Sequence, residues 1–223
     1  MAEPTITFGS ASIFGTQTGW NAGPSSEKTT KQRARSLGAT GNETVGVLYD
    51  EKTDASQSFE AAAESAPTVA DTIGKLVGSY ILTGINVSTS ATAMAKMDLT
   101  GHNHAENAHA DTLQQAAHGI ALSSGFGAQD FLGGTAGDNA EIESGSVSIV
   151  CQHTDKNGGA SGNHVIGQNY DCMITATTTW IGEPSVPAAE GWDVTESDET
   201  KGNTDHERHT YIGTKTVALA DPA

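Results

Sequence analysis

Two stretches of the chain decide the fold class: Ser-Val-Ser-Ile-Val-Cys-Gln at residues 146–152 and Tyr-Asp-Cys-Met-Ile-Thr-Ala-Thr-Thr-Thr-Trp at residues 170–180. Apolar side chains alternate with Ser and Thr over most of both stretches. A period of two places the apolar side chains on one face of a β-strand. We therefore predict a long antiparallel hairpin over residues 142–182, with a glycine-rich tip at residues 155–167.

The register of this hairpin follows from its apolar face. A turn centred near residues 160–161 brings together three apolar pairs, Val147–Ala176, Ile149–Ile174 and Cys151–Cys172, with Tyr170 and Trp180 on the same inner face. We interpret the two cysteines as a packed cross-strand pair. A disulfide is the less favoured alternative, since reduced thiols are expected in the cytoplasm.

Further strands are predicted on both sides of this hairpin. Residues 80–87 and 93–100 form a strand pair, with Ala95, Met97 and Leu99 facing inward and Lys96 and Asp98 facing outward. Residues 37–64 are predicted to form a hairpin with strands 44–49 and 55–60 and a charged turn at residues 50–54. The last strand is expected near residues 210–219.

One amphipathic helix is predicted over residues 105–121. Its apolar stripe is His109, Leu113, Ala116 or Ala117, and Ile120, which recur at spacings of three and four. The stripe is narrow, so the helix is expected to lie shallowly against a sheet. Residues 122–140 follow as a long glycine-rich loop with apolar anchors.

These elements predict a mainly β fold with one helix, namely an antiparallel β-sandwich or small barrel with long hairpins and extended arms or loops. Residues 1–36 are expected to form an N-terminal arm that carries four basic residues, Lys28, Lys31, Arg33 and Arg35. Residues 37–182 form the β core with its helix and long loop. Residues 183–223 form an acidic connector that ends in the C-terminal strand.

The charge of the chain argues against one class of function. The 223 residues include 27 acidic and 11 basic side chains, which gives a formal net charge of −16. Such a chain is not expected to bind nucleic acid through its phosphates, although net charge also simply promotes solubility. No apolar stretch approaches 18 residues, and no secretory signal is visible, so we expect neither a membrane span nor export.

The sequence offers no catalytic motif, and we expect neither an enzyme nor a bound cofactor. Nucleophile elbows and phosphate-binding loops are absent. The pair His102 and His104 could bind Zn²⁺ with a third ligand such as His109, but we interpret these side chains as surface or loop histidines. His206 and His209 are likewise expected to be exposed polar residues.

The order of elements resembles the tail tube proteins of tailed phages and related contractile systems. Residues 43–60, 80–102 and 147–180 carry the resemblance, by layout and not by a diagnostic motif. It implies a β-sandwich or small barrel flanked by one helix, hexameric rings of identical subunits, and long hairpins that join into a continuous channel. It also implies a location in the virion tail after assembly in the host cytoplasm.

The resemblance assigns an acidic channel through which DNA passes without specific binding. The polarity of the chain indicates Asp50, Glu51, Asp54 and Glu60 as channel-facing residues, together with the face of Thr175, Thr177 and Thr179. Expected partners are other copies of the chain, through ring and axial contacts, and other tail proteins. The alternatives are a capsid decoration or tail terminator protein, a carbohydrate-binding β-sandwich that uses Trp20 or Trp192, and a metal-dependent enzyme.

Overall fold

The structure is a computed structural model that describes residues 11–104, 113–134, 140–158, 163–185, 191–200 and 206–220. Within these ranges all helical or strand structure is β, and every strand pair is antiparallel. The predicted mainly β class is therefore confirmed. A search of the same ranges for a long apolar helix that could cross a membrane finds none.

Eleven strands are seen in this part of the chain. In order they are β1 (Trp20–Leu37), β2 (Glu43–Ala61), β3 (Leu76–Val77), β4 (Tyr80–Ser90), β5 (Ala93–His104), β6 (Gln115–Ala116), β7 (Glu141–Gly158), β8 (Asn163–Ile181), β9 (Asp193–Thr200), β10 (Arg208–Thr216) and β11 (Leu219–Ala220). Nine of them form one sheet in the order β1-β2-β5-β4-β7-β8-β10-β9, with β3 beside β4, while β6 and β11 pair separately. The large sheet is not closed into a barrel.

The core lies on one face of the large sheet. Central strands bury every second side chain there, including Val87, Met97, Leu99, Ile149 and Ile174. The segments between strands cover this face by inserting Phe14, Ile73 and Leu132, all fully buried. Burial of side chains of this size stabilises the fold by about 1.5–3 kcal/mol each. In the described residues, loops and the small β6–β11 sheet thus take the place of a second large sheet.

The opposite face of the sheet is polar. One row crosses five neighbouring strands through the pairs Glu60–Lys96, Lys96–Ser88, Ser88–Ser146 and Ser146–Thr177. Residues directly opposite each other on neighbouring strands share a face. Glu60 on β2 and Thr177 on β8, both predicted to be channel-facing, therefore lie on the same side of the sheet.

The β7–β8 hairpin has the predicted register. Val147 pairs with Ala176 and Ile149 with Ile174. The predicted turn at residues 159–162 lies outside the described residues. The prediction that Tyr170 faces inward was wrong, because its side chain is exposed. A bulge between Val150 and Gln152 shifts the register and turns Tyr170 to the outer face. At this bulge Asp171 adopts a φ of 46°, in the left-handed region.

Cys151 and Cys172 form a disulfide bond across the β7–β8 hairpin. The two residues do face each other in the core, as predicted, but the preference for free thiols was wrong. The prediction rested on the expected redox compartment and not on geometry. A cross-strand pair that meets side by side in the core satisfies the spatial requirement for the bond.

The predicted hairpin at residues 37–64 was also wrong. Strand β2 runs without a break through residues 50–54, and its partner is β1, which the sequence had assigned to a terminal arm. The turn lies at residues 38–42, where Gly41 adopts a φ of 77°. At residues 50–54, where a turn was predicted, β2 instead contacts β1 through polar side chains: Lys31 Nζ lies 2.7 Å from a carboxylate oxygen of Glu51.

The predicted helix is not found in the described part of its range. Residues 105–112 lie outside the described residues, and residues 113–121 are not helical. Leu113 and Ala116 are buried, as the stripe predicted, but Ala116 pairs with Leu219 of β11, and its backbone N–H donates to the carbonyl of Ile73. An Ala-rich stripe offers little apolar area to hold a helix, so backbone pairing decides the local structure.

The acidic connector contains a strand that the sequence did not predict. Residues 193–200 form β9, which pairs with β10 and makes one outer edge of the large sheet. The final strand near residues 210–219 is confirmed as β10. Residues 122–134 form the described part of the predicted glycine-rich loop, which Leu132 anchors in the core.

Candidate functional site

A cluster of polar side chains lies beyond the point where β4 stops pairing with β7. The pairing of β4 with β7 goes no further than Gly84 and Val150. Beyond that point, two histidines near the end of β5 approach a histidine and an aspartate of β7. We call His102, His104, His153 and Asp155 the histidine cluster.

The histidines of β5 are buried in the protein. His102 and His104 are each only 3% exposed, so their interpretation as surface or loop histidines was wrong. Their spacing of two on a strand places both rings on one side of β5. Polar side chains are seldom buried to this degree unless they have partners.

The rings and the carboxylate lie within contact distance of each other. The ring centre of His102 is 4.7 Å from that of His153 and 5.4 Å from that of His104. His153 Nε2 lies 2.7 Å from Asp155 Oδ1, and His104 Nε2 lies 3.5 Å from Asp155 Oδ2. Asp155 thus connects two of the rings, and the third packs between them.

An outer set of hydrogen bonds orients His153. Asn169 donates its side-chain N–H to the backbone carbonyl of Gln114 at 2.8 Å, so its Oδ1 must accept. The ring Nδ1 of His153 donates to that Oδ1 at 2.8 Å. This arrangement turns Nε2 of His153 towards Asp155.

Asp50 orients His104 in the same way. Its Oδ1 accepts a hydrogen bond from His104 Nδ1 at 3.1 Å, and its Oδ2 accepts from the side chains of Gln32 and Asn157 at 2.9 Å each. Asp50 has a φ of 51° at an irregularity in the β1–β2 register, and this conformation accompanies its buried position. The Nε2 of His104 therefore faces Asp155.

The cluster shifts the ionisation of its members. Burial, with Lys52 and His153 nearby, lowers the pKa of His102 to about 3, so this ring is neutral at neutral pH. Burial alone would lower the pKa of His153, but hydrogen bonds to Asp155 and Asn169 outweigh it and raise that pKa. Burial would raise the pKa of Asp155, but hydrogen bonds from His104 and His153 outweigh it and lower that pKa, so the carboxylate stays ionised.

Sequence reasoning found half of this cluster. His102 and His104 were identified from their spacing, but His153 and Asp155 were missed because they lie where the hairpin tip was predicted to begin. The same spacing of two in His153-Thr-Asp155 on a predicted strand is the signal that could have found them. His109, the suggested third ligand, lies outside the described residues.

The other histidines whose side chains the structure describes do not join the cluster. His118 is half-buried, and its Nε2 contacts the backbone carbonyl of Asp71. His206 is exposed, as predicted, whereas the exposure predicted for His209 was wrong. His209 is buried between carboxylates, with Nδ1 2.7 Å from Glu196 and Nε2 3.2 Å from Glu207.

The structure divides the predicted channel-facing residues. Asp54 and Glu60 are exposed on β2, and Glu51 is half-exposed beside Lys31. Asp50 is only 8% exposed and turns towards His104, so it does not lie on an exposed face of the chain. Asp50 belongs to the surroundings of the histidine cluster.

Two of the three tryptophans are unavailable for stacking on a sugar. Trp180 is 2% exposed, as its inward orientation predicted. Trp20, which was expected in a loop, begins β1 and is 7% exposed, with its indole N–H donating to the carbonyl of Thr68. Trp192 alone is partly exposed, and it packs against the core.

No protein-family model matches the sequence, and no curated protein matches it either. The function must therefore be argued from the geometry of this chain.

Proposed function

We propose that the chain is a structural subunit that joins copies of itself edge to edge into rings, which stack into a hollow tube of the phage tail type. The observation that carries this proposal is the opposite charge of the two outer edges of the open sheet. The β1 edge carries the basic residues Lys28, Lys31, Arg33 and Arg35, and the β9 edge carries the acidic residues Asp193, Glu196, Asp198 and Glu199.

Open edges favour pairing with another chain. An edge strand presents backbone N–H and C=O groups that can continue a sheet into a neighbour. Here the two edges differ in sequence and charge, so the β1 edge of one copy complements the β9 edge of the next. Contacts of this head-to-tail kind either close into a ring or continue as a fibre.

The distal half of the β1–β2 hairpin supplies a second contact surface. Residues 28–37 of β1 and the described side chains of residues 43–48 of β2 are exposed on both faces. Four apolar side chains there are more than half exposed: Leu37, Val45, Val47 and Leu48. A two-stranded hairpin is only marginally stable in water by itself, so cover by a neighbouring subunit or ring would stabilise it.

The polar face of the sheet is suited to line the channel. Its rows are rich in Ser and Thr, and its charged members include Asp54, Glu60 and Asp98 as well as Lys96. Hydroxyl groups and acidic side chains offer no strong site for phosphate, which fits passage of DNA without specific binding. The channel-facing set in this proposal is Asp54 and Glu60 with the Thr175, Thr177 and Thr179 face, whereas Glu51 lies three residues from Asp54 on β2 and so falls on the other face of the sheet. The proposal assigns no catalytic residue.

A charge-exchange experiment tests the edge contact. One variant carries Lys28→Glu and Arg35→Glu, which makes both sheet edges acidic, and a second carries Asp193→Lys, Asp198→Lys and Glu199→Lys, which makes both edges basic. We expect each variant alone to stay monomeric in sedimentation at concentrations where the parent protein forms rings. An equimolar mixture should assemble, because each edge then meets an edge of opposite charge.

The matched control is Lys96→Glu, which reverses a charge within the sheet and should assemble like the parent. Circular dichroism would confirm that all variants are folded. Assembly of either edge variant alone at the parent level, or a mixture that stays monomeric, would contradict the proposed contact.

Electron microscopy of the concentrated protein separates the tube from related structural roles. A tube subunit forms stacked rings of constant diameter, whereas a tail terminator forms single rings and a capsid decoration protein forms neither. Single rings without stacks would therefore replace the tube proposal by the terminator alternative.

A further inference from the structure

We propose that the histidine cluster is a binding site for a divalent transition metal of the zinc class, with His102, His153 and Asp155 as ligands and His104 as the adjacent fourth. This site is independent of the edges that carry the assembly proposal. One ligand atom from each of His102, His153 and Asp155 can be chosen so that all three lie within 4.8 Å of one another.

The donor set has the chemistry that such a metal prefers. Imidazole nitrogen and carboxylate oxygen are common ligands of Zn²⁺, with bonds of about 2.0–2.2 Å. Four such ligands in a tetrahedron lie about 3.3–3.5 Å apart, which follows from those bond lengths. His104 Nε2 and Asp155 Oδ2 are already 3.5 Å apart, and His153 Nε2 and Asp155 Oδ1 are closer, at 2.7 Å.

The ligands are oriented by a second set of side chains, as in established metal sites. Metal-binding histidines usually donate their other ring N–H to a carboxylate or carbonyl group, which fixes the ring and exposes the ligating nitrogen. His104 donates to Asp50, and His153 donates to Asn169, whose own amide is held by Gln114. In both rings the remaining nitrogen, Nε2, faces Asp155.

His102 gives an independent indication of a ligand. Its ring is 3% exposed, and among the described residues it makes ring contacts with His104 and His153 but no hydrogen bond. Neither of its ring nitrogens is committed to a hydrogen bond with the described residues, so one of them is available to a metal. A metal shared with His153 and Asp155 would bind this nitrogen.

The chain also leaves room at the site. A side chain at residue 167 would place its Cβ 3.0 Å from His153 Cε1 and 3.2 Å from Asp155 Oδ1, and glycine avoids both contacts. Lys52 Nζ lies 3.7 Å from Asp155 Oδ2, where it would repel a metal ion. The ammonium also lies 3.6 Å from Asp54 and can move to that partner, because the side chain is partly exposed.

The inferred role of the metal is structural. At the level of the cluster β4 still pairs with β5, through Ile81 and His102, but it no longer pairs with β7, since the β4–β7 pairing ends at Gly84 and Val150. A metal held by His102 of β5 and by His153 and Asp155 of β7 would join the two strands at this point. The distal part of the β7–β8 hairpin would then be fixed to β5.

The test is titration of full-length, chelator-washed protein with Zn²⁺ alone, followed by calorimetry, with elemental analysis after dialysis. We expect one metal ion per chain and a rise in the melting temperature that a chelator reverses. Co²⁺ in place of Zn²⁺ should give the visible absorption bands of a nitrogen- and oxygen-ligated ion, a signal that does not depend on stability.

Three variants assign the site. Asp155→Asn preserves the shape of the side chain and should weaken Zn²⁺ binding by at least about 100-fold, while Asn169→Leu should weaken it by about 10–100-fold, the usual range for an outer partner. The matched control is His206→Gln, an exposed histidine outside the cluster, which should bind like the parent. His209→Gln tests the second group of possible ligands, Glu199, Glu207 and His209. Zn²⁺ binding by this variant at the parent affinity would exclude that group.

Absence of stoichiometric Zn²⁺ or Co²⁺ binding by the parent would overturn the proposal. Binding by a folded Asp155→Asn variant at the parent affinity would also overturn it. Should Asp155→Asn fail to fold, Gly167→Ala serves instead, because its added methyl group crowds His153 and Asp155, and unchanged binding by that variant would count equally against the site.

Discussion

The hairpins β1–β2 and β7–β8 are nearly equal in length, with strands of 18 and 19 residues in each. They differ in what covers them. The β7–β8 hairpin buries Ile149 and Ile174 in the core, carries the disulfide and contributes to the histidine cluster. The distal half of β1–β2 exposes both faces, including Val47 and Leu48. The β7–β8 hairpin is stabilised within the chain, whereas the distal half of β1–β2 has an exposed surface that a neighbouring subunit could cover.

The largest expected effect concerns the core of the β7–β8 hairpin. Ile149→Ala should lower the free energy of unfolding by about 2–5 kcal/mol, because it removes a fully buried side chain and leaves a cavity. The adjacent Val150 is 54% exposed, and Val150→Ala should cost less than about 0.5 kcal/mol. Urea denaturation measures the free energy of unfolding of both variants. Equal losses in the two variants would contradict the assignment of Ile149 to the buried face and Val150 to the exposed face.

The disulfide should give the next largest effect. Replacing Cys151 and Cys172 together by Ala should lower the free energy of unfolding by about 2–4 kcal/mol, as expected for a closed loop of some 21 residues. Reducing agent should destabilise the parent protein by a similar amount and leave the double variant unchanged. A parent protein that is insensitive to reduction would show that the bond does not contribute to stability.

The difference in burial between the two hairpins explains how much of the fold can be predicted from the sequence. In β7 and β8 the apolar period of two is strong, so it yields both the strands and the pairs Val147–Ala176 and Ile149–Ile174. In β1 and β2 the distal residues are exposed on both faces, so no such pattern marks their pairing. The charged residues 50–54 were accordingly taken for a turn.

The histidine cluster shows a similar limit. His102 and His104 were visible as a pair because they are two residues apart on one strand. Their partners His153 and Asp155 lie about 50 residues further along the chain. The two pairs meet where the pairing of β4 with β7 ends, and a periodicity argument contains no information about that end point.

A smaller, pH-dependent effect is expected at His209, which joins the β9 edge to the body of the sheet. The hydrogen bonds that His209 donates to Glu196 and Glu207 outweigh the opposing effect of burial and raise the pKa of His209 above its usual value of about 6.5. Its stabilising contribution is therefore full below that usual value and is lost as the pH rises through the folded-state pKa. The difference in melting temperature between the parent and His209→Gln should shrink from pH 6 to pH 9. A difference in melting temperature that stays constant from pH 6 to pH 9 would show that protonation of His209 does not contribute to stability.

The smallest effect on the stability of the single chain is expected at the exposed end of β1–β2. Val47→Ser and Leu48→Ser should each change the free energy of unfolding by less than about 0.5 kcal/mol, because these side chains are 52% and 63% exposed and make few contacts within the chain. Their expected effect on assembly is large, since burial of each side chain against a neighbouring subunit would be lost. Sedimentation at high concentration should therefore show weaker self-association of folded variants. Met173→Ser is the matched control, since Met173 is also exposed, at 46%, but lies on the β7–β8 hairpin. If the Met173 variant weakened association as much as the Leu48 variant, the contact surface would not be specific to the first hairpin, and the contrast between the two hairpins would lose its functional meaning.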